Sequence, residues 1–238
     1  MNAEQGRAVA LQSYRYQPSS VRLTQLLQWA LKWKRDSRFE PVQISIDEAD
    51  RKKLQQSRTL LILSNHLGFW DPFFIEALNR DLRPHSPFHP LMLESEWQKR
   101  RWLSRLGVLP FSPTSVGSLK SLLRQLESLR GDPTPRTFLL FPQGQFESHR
   151  KDPSHNFKEG WLGIAARLSD CEVLPLVLDY STSASDRMTP WIAVGSPKKH
   201  SDWGASPHAS LQKEISRLFE VLHDQQEQQR LKQRGHPL

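Results

Sequence analysis

The stretch SNHLGFWDPFF, Ser64 to Phe74, sets a histidine and an aspartate five positions apart, with a glycine and aromatic residues between them. A carboxylate bonded to one imidazole nitrogen fixes the tautomer and raises the basicity of the other nitrogen, which can then deprotonate a hydroxyl near neutral pH. On a continuous helix five residues turn the chain through about 500°, so His66 and Asp71 would point roughly 140° apart. Pro72 suits the first position of a helix, Asp71 before it is a preferred N-cap, and Gly68 permits a tight turn upstream. The spacing therefore predicts a helix from Pro72 and a loop over residues 65 to 70, at the end of the strand TLLIL. That loop can fold His66 back onto Asp71. The plainer alternative is that Asp71 only caps its helix and His66 is a polar loop residue. No Gly-x-Ser-x-Gly elbow accompanies the pair, which argues against a serine hydrolase. Other histidines, including His85 and His89, form no convincing helical ligand set, so no metal site is expected.

Elements that could position such a pair alternate along the chain. Short apolar runs, TLLIL, PLML, GVLPF, TFLLFP, EVLPLVLDY and WIAVG, are separated by helical patterns. These patterns are expected after Pro72, near Ser95 to Arg105, from Ser115 with Leu119, Leu122, Leu123, Leu126 and Leu129 in phase, and from Phe157 to about Leu168. The alternation predicts one α/β domain with a mixed, largely parallel sheet buried on both faces and flanked by helices. We place an N-terminal amphipathic helix region at 1–45, the α/β domain at 46–205, and a C-terminal surface helix and tail at 206–238. In the first region Val21, Leu23, Leu26, Leu27, Ala30 and Leu31, with Trp29 and Trp33, recur at helical spacing beside Arg22, Lys32, Lys34 and Arg35. Such a helix either docks on its own protein or lies in a membrane interface, tryptophans at headgroup depth.

At 238 residues the chain supports one substantial core. Lys and Arg number 33 against 25 Asp and Glu, a net charge of +8 that favours an anionic partner such as a phospholipid surface or an acidic carrier protein. Neither an RNA-binding signature nor zinc-finger spacing accompanies the basic runs, so nucleic acid is not expected. The single cysteine, Cys171, excludes an intramolecular disulfide and reads as a small buried side chain. No apolar run approaches the roughly 18 to 20 residues that cross a bilayer, and no secretory h-region is evident.

A second stretch, LLFPQGQFESHRKDPSHNFKEG from Leu139 to Gly160, ends a strand at Phe141 and Pro142, turns through Gly144 and enters a helix after Lys158. With it, the chain resembles the glycerolipid acyltransferase superfamily, the lysophosphatidate and glycerol-3-phosphate acyltransferases. NHLGFWD fits that family's Asn-His-x4-Asp motif, FPQGQFES stands in place of its Phe-Pro-Glu-Gly-Thr-Arg-Ser block, FKEG fits Phe-Lys-x-Gly, and VLPLVL, around Pro175, fits its proline-bearing strand. The resemblance covers roughly Leu54 to Gly195. It implies transfer of a fatty acyl group from a thioester, on coenzyme A or acyl carrier protein, to a membrane lipid hydroxyl, with no bound cofactor. It makes His66 the general base and Asp71 its orienting partner, and it sets Asn65, Gln143, Gly144, Gln145, Phe146, Lys158 and Gly160 at substrate-binding positions. Backbone N–H groups at the helix start or near Gly144 are candidates to stabilise the oxyanion.

Two departures bear on the acceptor. Pro113 stands where the family's Gly-x5-Arg block has arginine. Gln143, Gln145 and Phe146 stand for the glutamate, threonine and arginine of its later block. Neither proline nor phenylalanine supplies a phosphate-binding fork. The expected acceptor therefore lacks a phosphomonoester, as in a glycolipid, a glycosylated isoprenoid or an aminolipid. The alternatives are a 1-acylglycerol-3-phosphate acyltransferase of phospholipid biosynthesis using other cations such as Lys158 or Arg150, a non-catalytic lipid-binding relative, and a lipid hydrolase. The expected location is peripheral, on the cytoplasmic face of a membrane, anchored by Val21 to Trp33, with Trp97 and Trp102 in packing roles.

Overall fold

The computed structural model describes residues 21–128, 132–146, 151–168, 170–182 and 186–233, with side chains described within those ranges from Trp29 to Lys232. The continuous apolar run at Thr59–Ser64 forms strand β2, which has to be covered on both faces and on both edges. It lies between β5 (Arg136–Leu140) and β6 (Cys171–Thr182), parallel to each, with Leu63 opposite Leu140 and Pro175. With β1 (Gln43–Ser45), β3 (Phe88–Leu93), β4 (Leu109–Phe111), β7 (Met188–Val194) and the short β8 (Lys198–Lys199), these strands make one eight-stranded sheet of order β1-β7-β6-β2-β5-β3-β4, with β8 pairing β6. The pairings of β6 with β7 and of β6 with β8 are antiparallel and the others are parallel.

Helices cover both faces, as the alternation predicts. On one face α5 (Val116–Ser128) inserts Leu122 and Leu126, α6 (Trp161–Ala165) inserts Trp161 and Ile164, and α7 (Pro207–Gln233) inserts Leu211, Ile215, Leu218 and Leu222. On the other, α3 (Asp71–Leu82) inserts Phe74, Ile75, Leu78 and Leu82 beside Leu54 of α2 (Glu48–Gln56). The last helix, expected at the surface, keeps most of its residues exposed or half-buried and turns one stripe inward. Four of its apolar residues recur at helical spacing, and that narrow stripe is enough to seat it on β6 and β7.

Two other expected helices are shorter. The segment near Ser95 to Arg105 splits into α4 (Glu94–Lys99) and a 3-10 turn, Arg101–Leu106. Gly107 stops the turn at φ +86°, where a Cβ would stand 2.5 Å from the Phe88 carbonyl oxygen. The helix expected from Phe157 to Leu168 is confined to Trp161–Ala165, preceded by a 3-10 turn at Ser154–Asn156. Leu129 lies outside the described residues.

Helix α1 spans Val21–Asp36, and Trp29 and Trp33 on it are exposed, at 67% and 68%. The expected apolar positions from Val21 to Leu27 lie outside the described side chains. The chain is pinned just after α1, where buried Phe39 packs its ring against Phe74, Trp70 and Tyr180. Trp97 donates its indole N–H to Ser104 Oγ at 2.7 Å, consistent with a packing role. Among the described residues no helix is long and apolar enough to cross a membrane.

Candidate active site

In open α/β sheets the crevice beyond the carboxyl ends of the parallel strands is the usual ligand site. Here the chain leaves β2 at Ser64, and the next four residues are each tied to a neighbour. Asn65 is buried, and its side-chain amide donates to Leu178 O and accepts from Leu178 N, both at 2.8 Å. That pair of bonds imitates a strand's own ladder and holds the loop to β6. His66 N donates to Gln143 Oε1 at 2.8 Å, which joins the loop after β2 to the loop after β5. Leu67 N and Gly68 N donate to Asp71 Oδ2 at 2.6 and 2.8 Å.

The same carboxylate oxygen meets His66 Nδ1 at 2.8 Å, and Tyr180 donates its hydroxyl to Oδ1 at 2.6 Å. Asp71 is fully buried, and every donor it meets comes from outside its own helix. Asp71 is therefore not the N-cap that residue preference predicts. Helix α3 begins at Asp71 itself, with Trp70 at the cap making no side-chain bond. A buried carboxylate gains more from four convergent donors than a cap provides, and the two loop amides, the imidazole and the Tyr180 hydroxyl supply them.

Gly68 is not held in a left-handed conformation, and a Cβ there would meet nothing within 4 Å, so the turn does not depend on glycine. The helix start offers no free donor for an oxyanion. Asp71 N is bonded to Gly68 O, Pro72 has no N–H, and Phe73 N and Phe74 N are bonded to Trp70 O.

Asp71 Oδ2 accepts the Nδ1 proton of His66, which leaves the Nε2 lone pair as the imidazole's open valence. Among the described residues Nε2 has no partner, and the side chain is 19% exposed. The ring lies flat on Phe141, with centroids 3.9 Å apart and planes 8° from parallel, and touches Phe146 at 4.4 Å. Burial, followed by the neighbouring Asp71 charge, pushes the Tyr180 hydroxyl far above its ordinary range, so it stays protonated and donating.

The turn after β5 faces His66. Gly144 adopts φ +74°, a conformation that favours glycine, and its N–H closes on Phe141 O at 3.1 Å. Lys158 N donates to Pro142 O at 3.3 Å, and the Lys158 Nζ stands 3.7 Å from where a Cβ on Gly144 would be. Gln143 is 2% exposed, and its Nε2 is buried with no partner among the described residues. Phe146 is exposed at 61%, and Gln145 is exposed beside it. Gly160 lies at the start of α6, two residues beyond Lys158, with open space where a Cβ would go. Arg150 lies outside the described residues.

The structure thus brings His66, Asp71, Asn65, Gln143, Gly144, Phe146 and Lys158 together where the loops after β2 and β5 meet, with Gln145 exposed in the same turn and Gly160 at the start of α6. It adds Tyr180, which motif spacing does not mark. The alternation of β6 contains the signal: Leu174, Leu176 and Leu178 all face α3, so Tyr180, two residues on, faces it too. Asp179 points to the opposite face, where Gln226 Nε2 of α7 donates to it at 3.2 Å. A protein-family model described as Acyltransferase matches residues 45–179, more than half of the chain. No curated protein matches it.

Proposed function

The chain belongs to the acyltransferase family, and from that premise we propose that it is a peripheral membrane O-acyltransferase that moves a fatty acyl group from a thioester to a lipid hydroxyl. The observation that carries this reading is the 2.8 Å contact of His66 Nδ1 with a fully buried Asp71, which leaves Nε2 without a partner among the described residues. The acceptor hydroxyl hydrogen-bonds to Nε2 and gives up its proton as its oxygen attacks the thioester carbonyl. Asp71 holds the resulting imidazolium in place. Collapse of the tetrahedral intermediate breaks the C–S bond, and the imidazolium returns the proton to the departing sulfur. A positioned base is worth about 10²- to 10⁴-fold in rate. For the oxyanion we assign the amides of Gln145 and Phe146. They have no acceptor among the described residues and lie in the turn that touches the imidazole ring.

Phe146 in the arginine position and Pro113 in the other support an acceptor without a phosphomonoester, since neither side chain forms a fork on phosphate. The exposed ring of Phe146 beside His66 suits a sugar or other uncharged headgroup. Lys158 beside Gly144 favours the second reading, in which an ammonium holds the phosphate of a lysophosphatidate. A labelled acyl thioester offered with lysophosphatidate and, separately, with glycolipids and other non-phosphorylated lipid alcohols separates the two. Turnover of the uncharged acceptors is expected, and turnover of lysophosphatidate alone would overturn the assignment.

Trp29 and Trp33, exposed one turn apart on α1, support contact with a membrane surface, as does the net charge of +8. Flotation with anionic vesicles tests it: Trp29→Ala/Trp33→Ala should reduce binding severalfold, and unchanged binding removes α1 as the anchor.

A further inference from the structure

The outer face of α5 plays no part in the site described above. Leu122 and Leu126 turn inward to the core, while Val116, Leu119 and Leu123 form an apolar row on the outside, with Val116 exposed at 69%. Beside that row Lys120 and Arg124 stand one helical turn apart, and both rows line a shallow groove of about 420 Å³. Among the described residues neither Lys120 nor Arg124 has a carboxylate partner. The groove's one carboxylate, Glu127, is held by Arg167 at 3.2 Å, so its charge is offset.

The mouth of this groove is well placed. Pro113 follows β4 by two residues. Strands β2, β5, β3 and β4 are successive parallel neighbours, so their carboxyl ends share one edge of the sheet. Three strand spacings separate β4 from β2, about 14 Å. The Pro113 end of the groove therefore opens toward the edge that holds His66, and a partner seated along α5 would reach that edge with one end.

We propose that the outer face of α5 docks an acidic amphipathic helix of the protein that carries the acyl thioester. The inference rests on the thioester reading above and goes beyond it by naming the surface. An apolar row flanked by cations at i and i+4 is complementary to a helix with apolar anchors at i, i+3, i+4 and i+7 flanked by carboxylates. A phosphate group would instead need converging donors, and two cations in file along an open helix face do not converge. Unpaired cations on such a face steer an acidic partner into register and set the salt dependence of the encounter.

The test compares the protein with its Lys120→Glu/Arg124→Glu variant. Acyl transfer is measured from hexadecanoyl–acyl carrier protein and from hexadecanoyl-CoA in parallel, and binding of the carrier protein is measured without acceptor. The expected result is a loss of about tenfold or more in kcat/KM with the carrier donor, little change with the CoA donor, and convergence of the two proteins at high salt. Unchanged use of the carrier donor overturns the proposal. So does an equal loss with both donors, which would mark a phosphate site or a folding defect. If the protein transfers from neither donor, the reaction assignment fails, and the binding measurement still decides the docking. If it uses only CoA and does not bind the carrier, the docking fails and the reaction stands.

Discussion

At the carboxyl edge of the sheet Asp71 collects two loop amides, an imidazole and a phenol. At the amino edge Arg83 spends its guanidinium on Ser57 O at 2.5 Å, Thr137 Oγ1 at 2.8 Å and the carbonyls of Arg58 and Arg136. Thr137 passes a hydrogen bond on to Asn79 at 2.6 Å, and Ser57 donates to Glu172. Burial lowers the Arg83 pKa to about 10, against the pull of Glu172, so it stays charged at neutral pH. Each edge buries one charge and surrounds it with partners. The difference is that the Arg83 network closes within the fold, whereas the Asp71 network ends in an imidazole nitrogen with no partner among the described residues. A buried polar cluster is thus not by itself a sign of catalysis, and the proposed chemistry rests on the nitrogen that the Asp71 cluster leaves open.

Substitutions at the two edges should separate chemistry from stability. His66→Ala should lower kcat by about 10²- to 10⁴-fold with the thermal midpoint nearly unchanged. Near-normal turnover in that variant would erase the distinction between the edges. Arg83→Ala should do the reverse, costing about 3 kcal/mol in denaturant unfolding because it strands several buried acceptors. Activity per folded molecule should persist, and its selective loss would place function at the amino edge as well. Tyr180→Phe removes one of Asp71's donors and should lower kcat about tenfold, equivalent to about 1.4 kcal/mol on the barrier. An unchanged rate would make the phenol purely structural.

The smallest effect sharpens the comparison through pH. His89, buried on β3, donates from Nδ1 to Gly107 O at 3.1 Å, and burial lowers its pKa below the ordinary 6.5. The unfolded chain therefore takes up the proton first as pH falls. Stability from this group is full above about 6.5 and declines through the window between that value and the lower folded one, by at most about 1.4 kcal/mol per pH unit. His89→Gln should flatten the decline of the thermal midpoint below pH 6.5, and an unaltered slope would exclude His89 as its source.

Much of this architecture is legible in the residues. TLLIL and TFLLFP read as strands because nothing in them tolerates water, and they do lie centrally. The His66 and Asp71 pairing is legible as a possibility, since spacing says that the two can meet only if a loop intervenes. What decides between meeting and mere capping is the demand of a buried carboxylate for donors, and those donors include Tyr180, more than a hundred residues away. Local preference for an aspartate cap cannot register that demand. The C-terminal helix reads as polar because most of its twenty-seven residues face solvent, although Leu211, Ile215, Leu218 and Leu222 are aligned and buried. Helix α6 is shorter than its pattern suggests, with glycines at 160 and 163 flanking and interrupting it.

Strand β6 carries Tyr180 to one side of the sheet and Asp179, its neighbour, to the other, where Gln226 grips it. A peptide unit that serves both faces acts as a lever, with the final helix as counterweight to the phenol. Clipping the chain before Gln226 would slacken that linkage, and the imidazole would lose alignment although His66, Asp71 and Tyr180 were still in place.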